Sequence, residues 1–274
     1  MKTGMIVRSC PFVLQRRIMM AVELKVMTFN LRIRARSDGE HIFDLRKPYI
    51  LDVINGEKPD LIGFQEANDD MVAFLKENLS EYYFLGHGRN ADYHGEAPTI
   101  AYRWDRFYLH AFSQEMLSLV PQMPGTVVDG INQSEYPRAF ACAELIHTES
   151  QTPFALYNVH TDHVDTNVVF AECVMLMQAV GRREMPFILT GDFNAKPDEK
   201  AIQMIVASKE LLGTVDATAH IQDSFHNYGK VENHKIDYIF TNLPTDPADS
   251  YAVPNPEGKF YSDHYALCAM ITLE

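Results

Sequence analysis

Two stretches of this chain share one layout, and that repetition limits the folds open to it more than any single motif. In the first, LKVMTFN reads as a strand ending at Asn30, RKPYILDVINGEKP as a helix with Pro48 near its first turn, and DLIGFQE as a strand ending at Glu66. In the second, FALYNVH is a strand running to Asn158 and His160, NVVFAECVMLMQAVGRRE is a mostly apolar helix, and PFILTGDFN is a strand that breaks off into Gly191-Asp192-Phe193-Asn194. Each is a strand–helix–strand unit of a length suited to a right-handed crossover between neighbours in one sheet.

The rest of the chain alternates in the same way, which puts it in the α/β (α+β) class. NDDMVAFLKENL reads as a helix capped by Asn68, and PDEKAIQMIVASKELL as one amphipathic helix. PTIAYR, FACAELI, KIDYIFT and HYALCAMITL read as strands. Residues 1–22 read as a loosely attached extension: Arg8, Gln15, Arg16 and Arg17 interrupt its apolar stretches, making a poor signal peptide and no membrane span. Residues 23–274 read as one domain, with 46% hydrophobic residues to build its core.

Polar groups that do chemistry collect beyond the carboxyl ends of strands in open α/β sheets, where a fixed backbone meets an open crevice. Asn30, Glu66, Asn158, His160, Asp192 and Asn194 all occupy such positions. One strand-end carboxylate is usually a turn or cap; several at equivalent ends of two similar units point to a site. Asp237 lies inside a strand, where burial is costly unless it is paired, and a histidine is a natural partner. Asp263-His264 stands at another strand's entry.

Other readings of these motifs lack a part. YNVHTDHVD offers His160, Asp162, His163 and Asp165 in zinc-like spacing, but a dinuclear zinc hydrolase wants a histidine where this chain has Asn158. Calcineurin-type phosphoesterases add a Gly-Asn-His triplet that is missing here. Metal-assisted phosphoester hydrolysis uses what is present. A hard cation such as Mg²⁺ takes carboxylate oxygens and keeps waters and phosphate oxygens, which suits Glu66 and Asp263 with Asn30 nearby; Mn²⁺ is the alternative. Asp192, Asn194 and two histidines remain to orient water and stabilise charge growing on the phosphate.

Taken in order, T-F-N, Q-E, N-x-H, G-D-x-N, I-D-Y and S-D-H resemble the endonuclease/exonuclease/phosphatase superfamily, from about Lys25 to the C-terminus. The resemblance implies a four-layer α/β/β/α sandwich, two mixed β-sheets flanked by helices, with the site at one edge. It implies Asn30, Glu66 and Asp263 at the metal. It implies His264 as the catalytic histidine, held in its tautomer by Asp237. Asp192 and Asn194 would orient water and contact the scissile phosphate, and His160 would bind or protonate a phosphate oxygen. Glu96 stands where deoxyribonuclease-like members support the first histidine with a carboxylate, and Arg138 resembles their active-site arginine. The general base stays open between Asp192 and a histidine. The family often has Pro two residues after the final histidine, where this chain has Ala266.

Substrate is less constrained. The chain carries 24 Lys plus Arg against 37 Asp plus Glu, a formal charge of −13, which does not favour nonspecific nucleic-acid binding. Arg32, Arg34 and Arg36, in the loop after the first strand, are either a subsite for a second anion or a solvated basic loop. The four scattered cysteines suggest a reduced, cytoplasmic chain. The leading expectation is therefore a Mg²⁺-dependent phosphodiesterase or phosphomonoesterase acting on a phosphorylated small-molecule or nucleotide-type substrate. A nuclease is the second, and an inactive binding homologue the third, disfavoured because the full residue set is present.

Overall fold

A computed structural model describes residues 21–128 and 132–274. The expected extension, residues 1–22, lies outside the described residues up to residue 20, and the first strand begins at Val22. Strands β1 (Val22–Asn30), β2 (Leu61–Ala67), β3 (Tyr82–Leu85), β4 (Ala97–Arg103), β11 (Tyr251–Ala252) and β12 (Leu267–Leu273) form one sheet, ordered β11-β12-β1-β2-β4-β3. Strands β5 (Phe107–Met116), β6 (Ala139–His147), β7 (Pro153–His160), β8 (Phe187–Asp192), β9 (Val215–Asp216) and β10 (Asp237–Thr241) form a second, ordered β5-β6-β7-β8-β10-β9. Both sheets are mixed, and the parallel pairs are β1/β2 and β7/β8. These are the two units that the sequence repeats, joined by α1 (Phe43–Glu57) and α3 (Thr166–Arg182).

Three apolar clusters define four layers. One packs α1 and α2 (Asp69–Asn78) on the first sheet through Ile50, Ile54, Met71, Leu75, Phe29 and Phe64. Another packs α3 and α4 (Lys200–Ala207) on the second through Leu176, Ile202, Leu189 and Phe240. The third, with Val26, Leu61, Leu156 and Ile188, lies between the sheets. Asn68 caps α2, accepting the Met71 N–H at 3.2 Å. Two expectations change. Pro48 sits in the interior of α1, because the helix starts earlier, at Phe43. The helix expected over 197–212 is broken at Ser208, whose hydroxyl donates to the Ile205 carbonyl at 2.6 Å, and a separate turn, α5 (Lys209–Leu212), follows.

The face between the sheets changes character along its strands, and this positions the site. Strand side chains alternate, so every second residue faces the opposite sheet. Read that way, β1 runs Val26, Thr28, Asn30; β7 runs Leu156, Asn158, His160; β8 runs Ile188, Thr190, Asp192. Apolar contacts give way to a buried polar layer: Gln65 donates to Asn158 at 2.6 Å and to Thr28 at 3.1 Å, and Asn158 donates to the Phe64 and Thr99 carbonyls. Asn158, expected among the chemical strand ends, is instead fully buried in this layer, since it lies two residues short of the strand's end. Beyond the layer the sheets open. Among the described residues no helix is long and apolar enough to cross a membrane.

Candidate active site

A cleft of about 690 Å³ opens at that rim, lined by Glu66, Glu96, Arg138, His160, Asp192, Asn194, Asp263 and His264 among others. Asn30 and Asp237 lie directly beneath, buried. Asn30 ties the two sheets at the rim: its amide donates to Glu66 at 3.1 Å and to Asp192 at 2.9 Å, while its oxygen accepts the Arg32 N–H at 2.9 Å. Strand alternation alone would turn Glu66 toward the helix side. A bulge between Phe64 and Ala67, with Glu66 at φ 58°, turns it into the cleft instead. Burial opposes charge on Glu66, yet the Ile33 N–H at 2.7 Å, the His264 charge, Asn30 and Arg32 together hold its carboxyl below the usual range.

His264 and Asp237 form a buried pair, Nδ1 to Oδ2 at 2.8 Å. Burial works against charge on the imidazole, but Asp237, with Asp192 and Asp263 adding, overrides it and lifts His264 to about 10. Its other nitrogen, Nε2, faces Asp192 Oδ2 at 3.8 Å and Asp263 Oδ1 at 4.0 Å. The same Asp192 oxygen is 3.7 Å from His160 Nε2. Burial, then the charge of Asp237, pushes Asp192 up to about 7. Its second oxygen accepts the N–H of Asn194 at 2.9 Å; Asn194, at φ 46°, also donates its amide to the Thr161 carbonyl at 3.0 Å.

A cationic wall stands on the His160 side. Arg138 is 2% exposed, its Nη2 meets His163 Nδ1 at 2.9 Å, its Nε lies 3.7 Å from Asp162 Oδ2, and Nε and Nη1 have no hydrogen-bond partner among the described residues. Arg89 is 5% exposed and pairs with Glu96 at 3.0 Å, and Glu96 lies 3.9 Å from His160 Nδ1. Burial, followed by Arg138 and Arg89, drives the His160 pKa well down, which favours the neutral imidazole. Arg89 escaped the sequence reading because its loop, between β3 and β4, has no periodicity to mark which residues face inward.

The expected arginine trio divides. Arg32 lines the cleft but is held by Asp38 at 2.9 Å, with Asp263 at 3.8 Å. Arg34 turns away to Asp44 and Asp70, at 2.7 and 3.2 Å, and Arg36 is exposed; neither lines the cleft. Of the zinc-like cluster, Asp165 caps α3 and Asp162 accepts from Ser134 and Val164, so neither carboxylate reaches the cleft. Ala266 uses the N–H that a proline would lack, donating to the Tyr261 hydroxyl at 3.0 Å.

The donor set fits a hard divalent cation. Half-buried Glu66 and buried Asp263 face one cleft; burial raises the Asp263 pKa and the charge of Glu66 raises it further, a repulsion that a bound cation would relieve. Asp192, Asp237 and His264 also bring one donor atom each within 4.8 Å of one another, a spacing that can hold a metal. The residues present thus offer two candidate donor groups for a cation, Glu66 with Asp263 and Asp192 with Asp237 and His264. Nη1 of Arg138, left without a partner among the described residues, fits an anion beside it.

A family model described as Endonuclease/Exonuclease/phosphatase family matches residues 27–264. The chain is 25% identical to an uncharacterised protein of Acanthamoeba polyphaga mimivirus over 189 residues, 65% of this chain and 69% of that one. Its fold is similar to that of an endonuclease/exonuclease/phosphatase from Bacteroides vulgatus, with TM-score 0.82 and 22% identity over 92% of this chain and 100% of that one. It is also similar to that of a mannosyl-6-phosphatase from Bacteroides thetaiotaomicron, with TM-score 0.77 and 23% identity over 92% and 100%.

Proposed function

The chain belongs to the endonuclease/exonuclease/phosphatase family, and from that premise we propose that it is a divalent-metal-dependent phosphoesterase. Residues 23–274 form the catalytic domain, and water attacks phosphorus in a phosphorylated small-molecule or nucleotide-type substrate. The observation that carries this reading is the position of Asp192 Oδ2, within 4 Å of an imidazole nitrogen on either side and bonded to Asn30 below. One carboxylate oxygen so surrounded is suited to managing a proton at a phosphate.

Glu66 and Asp263 would hold Mg²⁺, or Mn²⁺ in its stead, with Asn30 fixing the Glu66 carboxylate. A divalent ion supplies charge neutralisation at phosphate oxygens when bound there. Asp192, at about 7, takes the proton from the attacking water; its other oxygen is fixed by the Asn194 N–H. His264, charged through Asp237, presents Nε2–H to the charge that grows on the phosphate. Arg138 and neutral His160 hold phosphate oxygens from the far side, with Glu96 and Arg89 behind His160. With Arg34 and Arg36 directed elsewhere, neither extends the cleft as a basic track for a polynucleotide, and a small substrate fits better than a nucleic acid. Among the described residues Cys142, Cys173 and Cys268 are buried and form no disulfide, in keeping with the cytoplasmic location proposed for the chain.

The test is a screen of phosphorylated compounds with Mg²⁺, scored separately for inorganic phosphate and for diester cleavage. Turnover of a sugar or nucleotide phosphate supports the proposal. Hydrolysis of none of them, with the protein folded, overturns it.

A further inference from the structure

The loop between β9 and β10 contains an arrangement that the reaction described so far does not use. His226 and Asn227 both donate their backbone N–H to the Asp263 carbonyl, at 2.9 and 3.1 Å. The next turn is left-handed for three residues: Asn227, Tyr228 and Gly229 hold φ of 43°, 57° and 78°. Only the last is glycine, and such a backbone is unfavourable for a residue as bulky as tyrosine, so surrounding contacts must enforce it. Its effect is to turn Tyr228 into the cleft.

The ring is fixed there. It stacks on His41 with centroids 4.1 Å apart and planes 14° from parallel, and it meets Phe260 edge-on at 5.8 Å. Its hydroxyl is buried and has no hydrogen-bond partner among the described residues. Three buried tyrosines are satisfied: Tyr82 donates to the Pro59 carbonyl, Tyr238 to Ala195 and Tyr261 to Val253, at 2.6 to 2.9 Å. Buried tyrosine hydroxyls ordinarily find a partner. Packing against His41 and Phe260 would be met equally by phenylalanine, so the hydroxyl needs a separate account. The backbone N–H groups of His226 and Asn227, just before it, bind the Asp263 carbonyl, which sets this turn on the Asp263 side of the cleft.

We propose that Tyr228 is a further catalytic residue, whose hydroxyl donates a hydrogen bond to a non-bridging oxygen of the substrate phosphate on the Asp263 side of the cleft. This rests on the phosphoesterase reading. A phenol, with an ordinary pKa of about 10, keeps its proton at neutral pH and acts as a donor. No bond is made or broken at Tyr228.

The test is Tyr228→Phe, which keeps the ring stack and removes only the hydroxyl. Inorganic phosphate is titrated calorimetrically in the presence of Mg²⁺, Mg²⁺ is titrated alone, and kcat/KM is measured on whichever phosphoester the wild type hydrolyses. The expected result is about a tenfold or greater weakening of phosphate binding and a similar fall in kcat/KM, the loss of one hydrogen bond to a charged group. Mg²⁺ affinity and Tm should match the wild type. Equal phosphate affinity and kcat/KM in the variant would overturn the inference alone. A parallel loss of Mg²⁺ affinity would also overturn it, since Tyr228 would then act on Asp263 and not on phosphate. A wild type that neither binds phosphate nor hydrolyses an ester would overturn the phosphoesterase reading and this inference together.

Discussion

Nδ1 of His264 lies 2.8 Å from Oδ2 of Asp237, both side chains buried, so the ring's remaining nitrogen is committed to the cleft. Asparagine at 237 preserves the shape but removes the charge that keeps His264 protonated. Asp237→Asn should therefore lower kcat by about 10²–10⁴-fold with little change in Tm. Steady-state kinetics beside a thermal melt checks this, and wild-type turnover in the variant would contradict the pairing's role.

Asn30 supplies both hydrogens of its amide to carboxylates of opposite sheets, Glu66 and Asp192. Asn30→Ala leaves both free to turn. By analogy with outer groups that orient metal ligands, Mg²⁺ affinity should drop about 10–100-fold, read from calorimetry or from the Mg²⁺ dependence of turnover. An unaltered affinity would mean that Glu66 is held by the Ile33 N–H alone.

Much of this site was legible because strand alternation and strand ends are periodic signals. Val26, Thr28, Asn30 and Ile188, Thr190, Asp192 put their last members at one rim, and two similar crossover units made the rim visible twice. What was not legible depends on side-chain direction in irregular chain. Asn158 shares the face of His160 yet stops one step below the cleft, within the buried polar layer. Arg32 and Arg34 are two residues apart in one loop, but Asp38 holds the first in the cleft while Asp44 and Asp70 draw the second away. Arg89 and Tyr228 sit on loops whose conformation comes from tertiary contacts and, at Tyr228, from left-handed backbone that no propensity favours.

Gly63 faces the polar layer between the sheets. A Cβ there would fall 2.0 Å from Thr190 Oγ1 and 2.5 Å from Asn158 Oδ1. Both neighbours are locked by buried hydrogen bonds and cannot swing aside. Gly63→Ala should destabilise the fold by about 1–3 kcal/mol, seen as a lower urea midpoint with unchanged slope. A wild-type midpoint would show that the layer is looser than its hydrogen bonds imply.

Glu172, on α3, accepts the Asp162 N–H at 2.7 Å with one oxygen, and its other oxygen has no hydrogen-bond partner among the described residues. Burial raises its carboxyl to about 8, against the pull of the Asp162 N–H, Arg138 and Arg89. The folded chain thus holds this proton more tightly than the unfolded chain. The stability it contributes is complete below the ordinary value of 4.5 and is lost as pH rises through about 8. Glu172→Gln cannot titrate, so its stability relative to the wild type should climb across that window and level off above it. Chemical denaturation at a series of pH values tests this; a difference that stays flat would contradict a buried, protonated Glu172.

The central claim is that Glu66 and Asp263 hold a divalent ion against a phosphate while Asp192 handles the proton of the attacking water. The most direct measurement is hydrolysis of bis-p-nitrophenyl phosphate by wild type and Asp192→Ala, first in EDTA and then with Mg²⁺ or Mn²⁺ in excess. The wild type should be silent in chelator and recover with metal, and the variant should stay silent in both although folded. Full wild-type turnover in EDTA, or recovery of Asp192→Ala with metal, would contradict it.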